Sequence, residues 1–270
     1  MDSMITSTLQ YWLVNHPKII NFTWNQGHTF GSTPQFLTVA VLTYLSLTFT
    51  FSRMIPLPMI SSLCPRIIKT ITALHSLTLL LLSLIMALGC TLSIISHPHH
   101  LQHIFCFPPK TPPTGPIFFW AYIFYLSKIL EFVDTLLIIL SNSIKRLTFL
   151  HVYHHATVVI LCYSWLQYSQ SLFPVALVFN ATVHVMMYYY YLSCAMGVPP
   201  KWKRFVTNFQ IAQFMSGFPF SGLMLYYHMT GPGCSGIWSW CFNCAFATSL
   251  LVLFFDFHAK SYSKRKEAQD

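Results

Sequence analysis

Seven stretches of this chain, 34–52, 67–95, 117–140, 147–166, 172–196, 205–228 and 236–258, are long and apolar enough to cross about 30 Å of hydrocarbon as helices. Charged residues make up only 8% of the chain. A soluble domain carries about 25% and uses them to cover its surface. The sequence therefore predicts an all-α membrane protein with seven transmembrane helices. The second stretch is longer than a span needs, so it is expected to tilt or to extend past the bilayer. There is no internal repeat and no linker long enough to divide domains. We expect an N-terminal segment (1–33), one helical membrane domain (34–258) and a basic tail (259–270).

A net charge of +9 could suggest nucleic acid, but its distribution points elsewhere. Arg53, Arg66 and Lys69 lie between the first and second stretches, Lys145 and Arg146 between the third and fourth, and Lys201, Lys203 and Arg204 between the fifth and sixth. Lys260, Lys264, Arg265 and Lys266 follow the seventh, whereas the alternate loops hold only Lys18 and Lys110. Short basic loops on one side are a topology signal, not a nucleic-acid groove. They predict a cytosolic C-terminus and a lumenal N-terminus. The apolar run Tyr11–Val14 is too short for a cleavable signal peptide, and Asn15, His16 and Pro17 follow it. The first spanning helix is expected to serve as the targeting signal. The sequon Asn21-Phe22-Thr23 falls on the lumenal side. Cys106 and Cys234 both fall in lumenal loops and are expected to form a disulfide. Cys241 and Cys244 have CxxC spacing but lie in an apolar helix, which favours packing over metal or redox chemistry.

Ionisable groups inside a bilayer are costly and therefore mark function. The third stretch carries Lys128, Glu131, Asp134 and Thr135 on one helical face. Such a set can be no more than an ion-pair network joining helices. The fourth carries His151, His154 and His155, three imidazoles within one turn, which a satisfied core histidine does not explain. The fifth carries Asn180, His184, Tyr188 and Tyr191, with Met187 beside them. The sixth carries Thr207, Gln210 and Gln213, which could equally be interhelical glue.

Depth ties these stripes together. His151–His155 and Glu131–Asp134 lie roughly 6–14 Å from the cytosolic helix ends, and the polar residues of the fifth and sixth helices roughly 7–18 Å. All four stripes thus meet in the cytosolic half, and the lumenal halves are almost wholly apolar. The pattern predicts a polar chamber open to the cytosol with an apolar tunnel behind it. A long-chain acyl-CoA fits that shape, with its phosphates on the basic loop of Lys201, Lys203 and Arg204.

At these residues the chain resembles the ELO family of very-long-chain fatty acid elongases, condensing enzymes of the endoplasmic reticulum. Lys128–Thr135 matches KxxExxDT, His151–His155 matches HxxHH, Asn180–Tyr188 matches NxxxHxxMY and Thr207–Gln213 matches TxxQxxQ, in family order. The resemblance covers roughly the second to seventh helices, and the N-terminal third carries no motif. It implies six helices ringed around an acyl tunnel closed at the lumenal end. It also implies condensation of acyl-CoA with malonyl-CoA to 3-ketoacyl-CoA, CO2 and CoA, without cofactor or metal. The reductase and dehydratase of the elongation cycle are then expected partners, and a homo-oligomer is compatible with the sequence. The tail Lys264-Arg265-Lys266 is only a loose version of the family's retrieval dilysine, since four residues follow it.

No cysteine lies in the polar stripes to hold an acyl group, whereas a neutral imidazole can attack a thioester and give an acyl-imidazole. The family pattern puts this role on His154, with His151 and His155 as base or orienting partners. Glu131 and Asp134 are expected to fix imidazole tautomers, and Lys128 to offset their charge. Asn180 and His184 are expected to bind the enolate oxygen formed on decarboxylation. Thr135, Met187, Tyr188, Tyr191, Thr207, Gln210 and Gln213 complete the substrate site. Two rivals remain in view. A di-iron desaturase or hydroxylase also uses HxxHH, but needs about eight histidines on one side, and His97, His99, His100 and His103 fall on the lumenal side. A proton-coupled transporter would carry polar residues to both faces, and here they stop on the cytosolic side.

Overall fold

A computed structural model describes residues 2–54, 65–96 and 102–262. Lys264, Arg265 and Lys266, and His97, His99 and His100, lie outside the described residues. Among the described residues the regular structure is helical, and the one β-type pairing is an isolated bridge between Thr23 and Thr114.

The N-terminal segment holds α1 (Asp2–Gln10), which widens into a π-turn over Tyr11–Asn15, and the short α2 (Pro17–Ile20). Then follow α3 (Pro34–Met54), α4 (Pro65–Ser96) and the single turn α5 (Gln102–Phe105). The third expected stretch divides into α6 (Pro116–Leu130) and α7 (Phe132–Leu140), which meet at Glu131. The chain continues with α8 (Phe149–Gln167), α9 (Phe173–Met196), α10 (Lys203–Thr230) and α11 (Ile237–Tyr262).

Among the described residues, four helices are long and apolar enough to cross a membrane by length and composition: Pro34–Arg53, Pro65–Ser96, Phe173–Met196 and Ile237–Ser261. The other three expected spans fall short for local reasons. One is cut in two at Glu131, α8 carries the three histidines, and α10 opens with Lys203 and Arg204 and carries Asn208, Gln210 and Gln213. Polarity within those spans is thus concentrated where the candidate chemistry lies.

Helix ends follow familiar rules. Thr148 caps α8 by accepting a hydrogen bond from the His151 backbone N–H. Gly197, at φ +90°, ends α9 in the left-handed conformation that a glycine adopts without strain. The helices α4 and α9 pack along their lengths, and α4 also packs on α6. The ring of Trp120 on α6 occupies the space where a side chain at Gly89 would stand, so glycine sets that close approach.

One end of the bundle is tied by polar contacts. The Trp24 indole N–H donates to Oε1 of Gln167 (3.3 Å), and the Tyr163 hydroxyl to the Ser32 carbonyl (3.1 Å). The Phe107 backbone N–H donates to the Ser171 hydroxyl at 2.9 Å, and Ser235 N–H to the Phe107 carbonyl at 2.9 Å. Cys106 and Cys234, 128 residues apart, are joined by a disulfide here. The opposite end carries the loops 141–148 and 197–202 and their basic residues.

Candidate active site

The polar stripes converge on the junction of α6 and α7. Lys128 and Glu131 are each 1% exposed, and Nζ of Lys128 lies 2.7 Å from Oε1 of Glu131. The same ammonium donates to Oδ1 of Asn180 at 3.2 Å and lies 3.4 Å from Nδ1 of His184. Nδ1 of His184 is also 3.3 Å from Oε1 of Glu131. Asn180 in turn donates through Nδ2 to Oε1 of Gln213 at 3.4 Å. A buried charge needs both a counter-charge and hydrogen bonds, and here Glu131 at the α6–α7 junction and Asn180 and His184 of α9 supply them to one lysine. Oε2 of Glu131 and Nδ1 of His155 are buried without a hydrogen-bond partner among the described residues.

A second branch runs from Asp134. Its Oδ2 accepts from the Tyr188 hydroxyl at 2.8 Å, and its Oδ1 from Nε2 of His75 at 3.1 Å. The carboxylate can only accept, so it fixes the His75 tautomer with the proton on Nε2. A third branch joins three helices: Tyr44 and Thr135 hydroxyls lie 3.1 Å apart, and the Thr135 hydroxyl lies 2.8 Å from Nε2 of His151. Tyr44 also stacks on Phe132, with ring centroids 4.1 Å apart.

The three histidines of α8 divide between two surroundings. The rings of His151 and His155 pair at 4.3 Å on the side of Tyr44 and Thr135. His154, turned about 100° from His155 by helical geometry, lies against Phe246 of α11 (6.4 Å, stacked) and lines a cavity. That cavity holds about 120 Å³ and is partly open. Asn180 and Gln213 join His154 on its wall, and Phe124, Val158, Leu161, Ala176 and Phe179 make the wall apolar beyond them. Its far end reaches Leu172 and Phe220, which pack with Met224 and the Cys106–Cys234 pair.

The remaining expected residues stand as follows. Gln210 donates to Sδ of Met187 at 3.5 Å, Thr207 is buried, and Tyr191 carries the Arg146 guanidinium over its ring at 5.4 Å. Lys201, Lys203 and Arg204 are exposed at the start of α10. Glu131 and Asp134 make their close contacts with His184 and His75, not with the imidazoles of His151–His155. The hydrogen-bond partner of His151 is Thr135. Sequence reading missed Tyr44 and His75. A lone histidine in the most apolar stretch of the chain was the available signal for the second. A tyrosine in an apolar helix gives none.

A helical chain with several membrane-length helices, a buried polar cluster and an adjoining apolar cavity defines a multi-pass membrane protein built around an internal site. The family model described as ELO: GNS1/SUR4 family matches residues 29–270, and the chain belongs to that family. It is similar to "Fatty acid elongase A" of Dictyostelium discoideum, 37% identical over 198 residues, 71% of each chain. It is also similar to "Fatty acid elongase 3-like" of Arabidopsis thaliana, 26% identical over 97% of this chain and 95% of the relative. "Very long chain fatty acid elongase 5" of Xenopus laevis is 33% identical over 56% of this chain and 50% of its own length.

Proposed function

We propose that this protein carries out the condensing step of fatty acid elongation, as a very-long-chain 3-oxoacyl-CoA synthase. The observation that carries the reading is His154: an imidazole on the wall of a largely apolar cavity, with Asn180 and Gln213 beside it. Family membership and the elongase names of its relatives support the same reaction.

In this reading the neutral His154 ring attacks the thioester carbonyl carbon of a long-chain acyl-CoA. The C–S bond breaks, the proton lost from the imidazole passes to the sulfur so that CoA leaves as its thiol, and an acyl-imidazole remains. Malonyl-CoA then loses CO2, and the electron pair of that bond forms the new carbon–carbon bond to the acyl carbon. The C–N bond to His154 breaks, the ring nitrogen takes up a proton from water, and 3-ketoacyl-CoA is released. Asn180 and His184 stabilise the enolate oxygen, with the Lys128 ammonium adding positive charge behind them. Thr135 orients His151 through Nε2, and the His155 ring, 5.2 Å from that of His154 and 4.3 Å from that of His151, lies between them to relay the imidazole proton. The basic loop of Lys201, Lys203 and Arg204 binds CoA phosphates.

The same reading includes a ring of α4, α6–α7, α8, α9, α10 and α11 about the acyl tunnel, closed at the lumenal end. It is supported by helix contacts that run from α4 through α6, α8, α11, α10 and α9 back to α4. The domain limits 34–258, the endoplasmic reticulum location, the lumenal N-terminus and cytosolic C-terminus, and a supply of product to a reductase and dehydratase belong to this proposal as well. The basic loops at one bundle end and the disulfide at the other support the orientation.

The test is covalent chemistry. Purified protein given acyl-CoA alone should gain one acyl mass in intact mass spectrometry, and labelled malonyl-CoA should discharge it as 3-ketoacyl product. His154→Ala should abolish both. An adduct that persists in His154→Ala would overturn the nucleophile assignment.

A further inference from the structure

The cavity is partly open, and the seam between α10 and α11 lines one side of it. The two helices run antiparallel, and three contacts give their register. Nε2 of His258 lies 3.1 Å from Oδ1 of Asn208, the Phe214 and Phe254 rings lie 5.5 Å apart, and the Ser221 hydroxyl lies 3.8 Å from Sγ of Cys244. The turn that joins the helices is held by the disulfide at Cys234, which packs with Met224 of α10. Both ends of the seam are therefore fastened.

The stretch between the Phe214–Phe254 and Ser221–Cys244 contacts differs. Gly217 and Phe218 from α10 and Ala247 and Leu250 from α11 line the cavity here. Phe218 is also 48% exposed, so the wall is thinly covered at this point. Gly217 has open space where a Cβ would stand. Pro219 lies inside α10, where it removes one backbone hydrogen bond and weakens the helix locally.

We infer that this part of the α10–α11 seam is a lateral window through which the acyl tail passes between the cavity and the bilayer hydrocarbon. The inference rests on the acyl-CoA reading above. The CoA end stays at the basic end of the bundle, and only the alkyl tail moves sideways. A tail drawn lengthwise through water would expose every methylene, at a cost that grows with chain length. A sideways path keeps the tail in apolar surroundings throughout. Movement of the turns around Gly217 and Pro219, with parting of Ser221 from Cys244, opens it, while the His258–Asn208 contact and the turn at Cys234 stay in place.

The experiment closes the window covalently. Ser221→Cys sets a thiol beside the native Cys244, and oxidation should join them, seen as a loss of two hydrogens in intact mass. Turnover with malonyl-CoA is then measured for acyl-CoA of about eighteen and about ten carbons, oxidised against reduced, with oxidised wild type as control. The ratio of long-chain to short-chain turnover should fall about tenfold or more on oxidation and recover with reductant. Gly217→Phe, which fills the open space, should lower the same ratio and decides the matter if the cross-link does not form. A ratio that stays constant in both variants would overturn the window. If wild type forms no 3-ketoacyl product from either chain, it is the acyl-CoA reading that fails, independently of the seam.

Discussion

Lys128 and Glu131 face each other at 2.7 Å across the point where α6 ends and α7 begins, and each is 1% exposed. The pair is both the junction of two helices and the contact from which Asn180 and His184 are held. Removing one partner would leave a buried charge uncompensated. Lys128→Met or Glu131→Leu alone should lower stability by roughly 3–5 kcal/mol, read as thermal unfolding in detergent. The double variant should recover much of that stability while remaining inactive. A double variant as unstable as the singles would show that the pair is not the source of the effect.

Thr135 links Tyr44 on α3 to His151 on α8. Thr135→Val keeps the shape but leaves Nε2 of His151 without its hydrogen bond, and we expect turnover to fall by about tenfold to a hundredfold. Tyr44→Phe keeps the stack on Phe132 and should have the smaller effect. Equal losses, or a larger loss for Tyr44→Phe, would mean that the tyrosine acts on the site directly and not through Thr135.

His75 and Tyr188 hold the two oxygens of Asp134 from opposite sides. His75→Phe should reduce kcat with a smaller change in KM, because it loosens a positioning contact and touches no cavity wall. Tyr188→Phe should act in the same direction, and the double variant should be no worse than the more damaging single one. Fully additive losses would argue that the two residues work independently of Asp134.

The Cys106–Cys234 bond closes a loop of 128 residues and sits in the cluster with Leu172 at the far end of the cavity. Cys106→Ser and Cys234→Ser should each shift gel mobility under non-reducing conditions, to the same position. Each should cost about 2–5 kcal/mol of stability. Wild type that runs identically with and without reductant would count against the bond.

Gly89 leaves room for the Trp120 ring, which a methyl group would meet at once. Gly89→Ala should therefore push α4 from α6 and destabilise the fold by about 1–3 kcal/mol. Combining it with Trp120→Leu should restore part of the loss. An unchanged melting temperature in the single variant would show that the ring can move aside freely.

The helices were legible in the sequence because an apolar run in hydrocarbon has to satisfy its backbone within itself. The four polar stripes were legible because spacings of three and four put Lys128 with Glu131, and Asn180 with His184, on shared faces. The disulfide partners could be named because Cys106 and Cys234 fell in loops of the same side. Periodicity says which residues share a face but not what that face meets. It could not tell that His154 would line the cavity while His151 and His155 turned to Thr135 and Tyr44. Nor could it bring in Tyr44 and His75, single polar residues whose partners lie 91 and 59 positions away. Those choices depend on how α3, α4, α8 and α11 pack, which is a property of the whole bundle. The three-histidine helix was written in the sequence, and only its neighbours in space decided which imidazole meets the cavity.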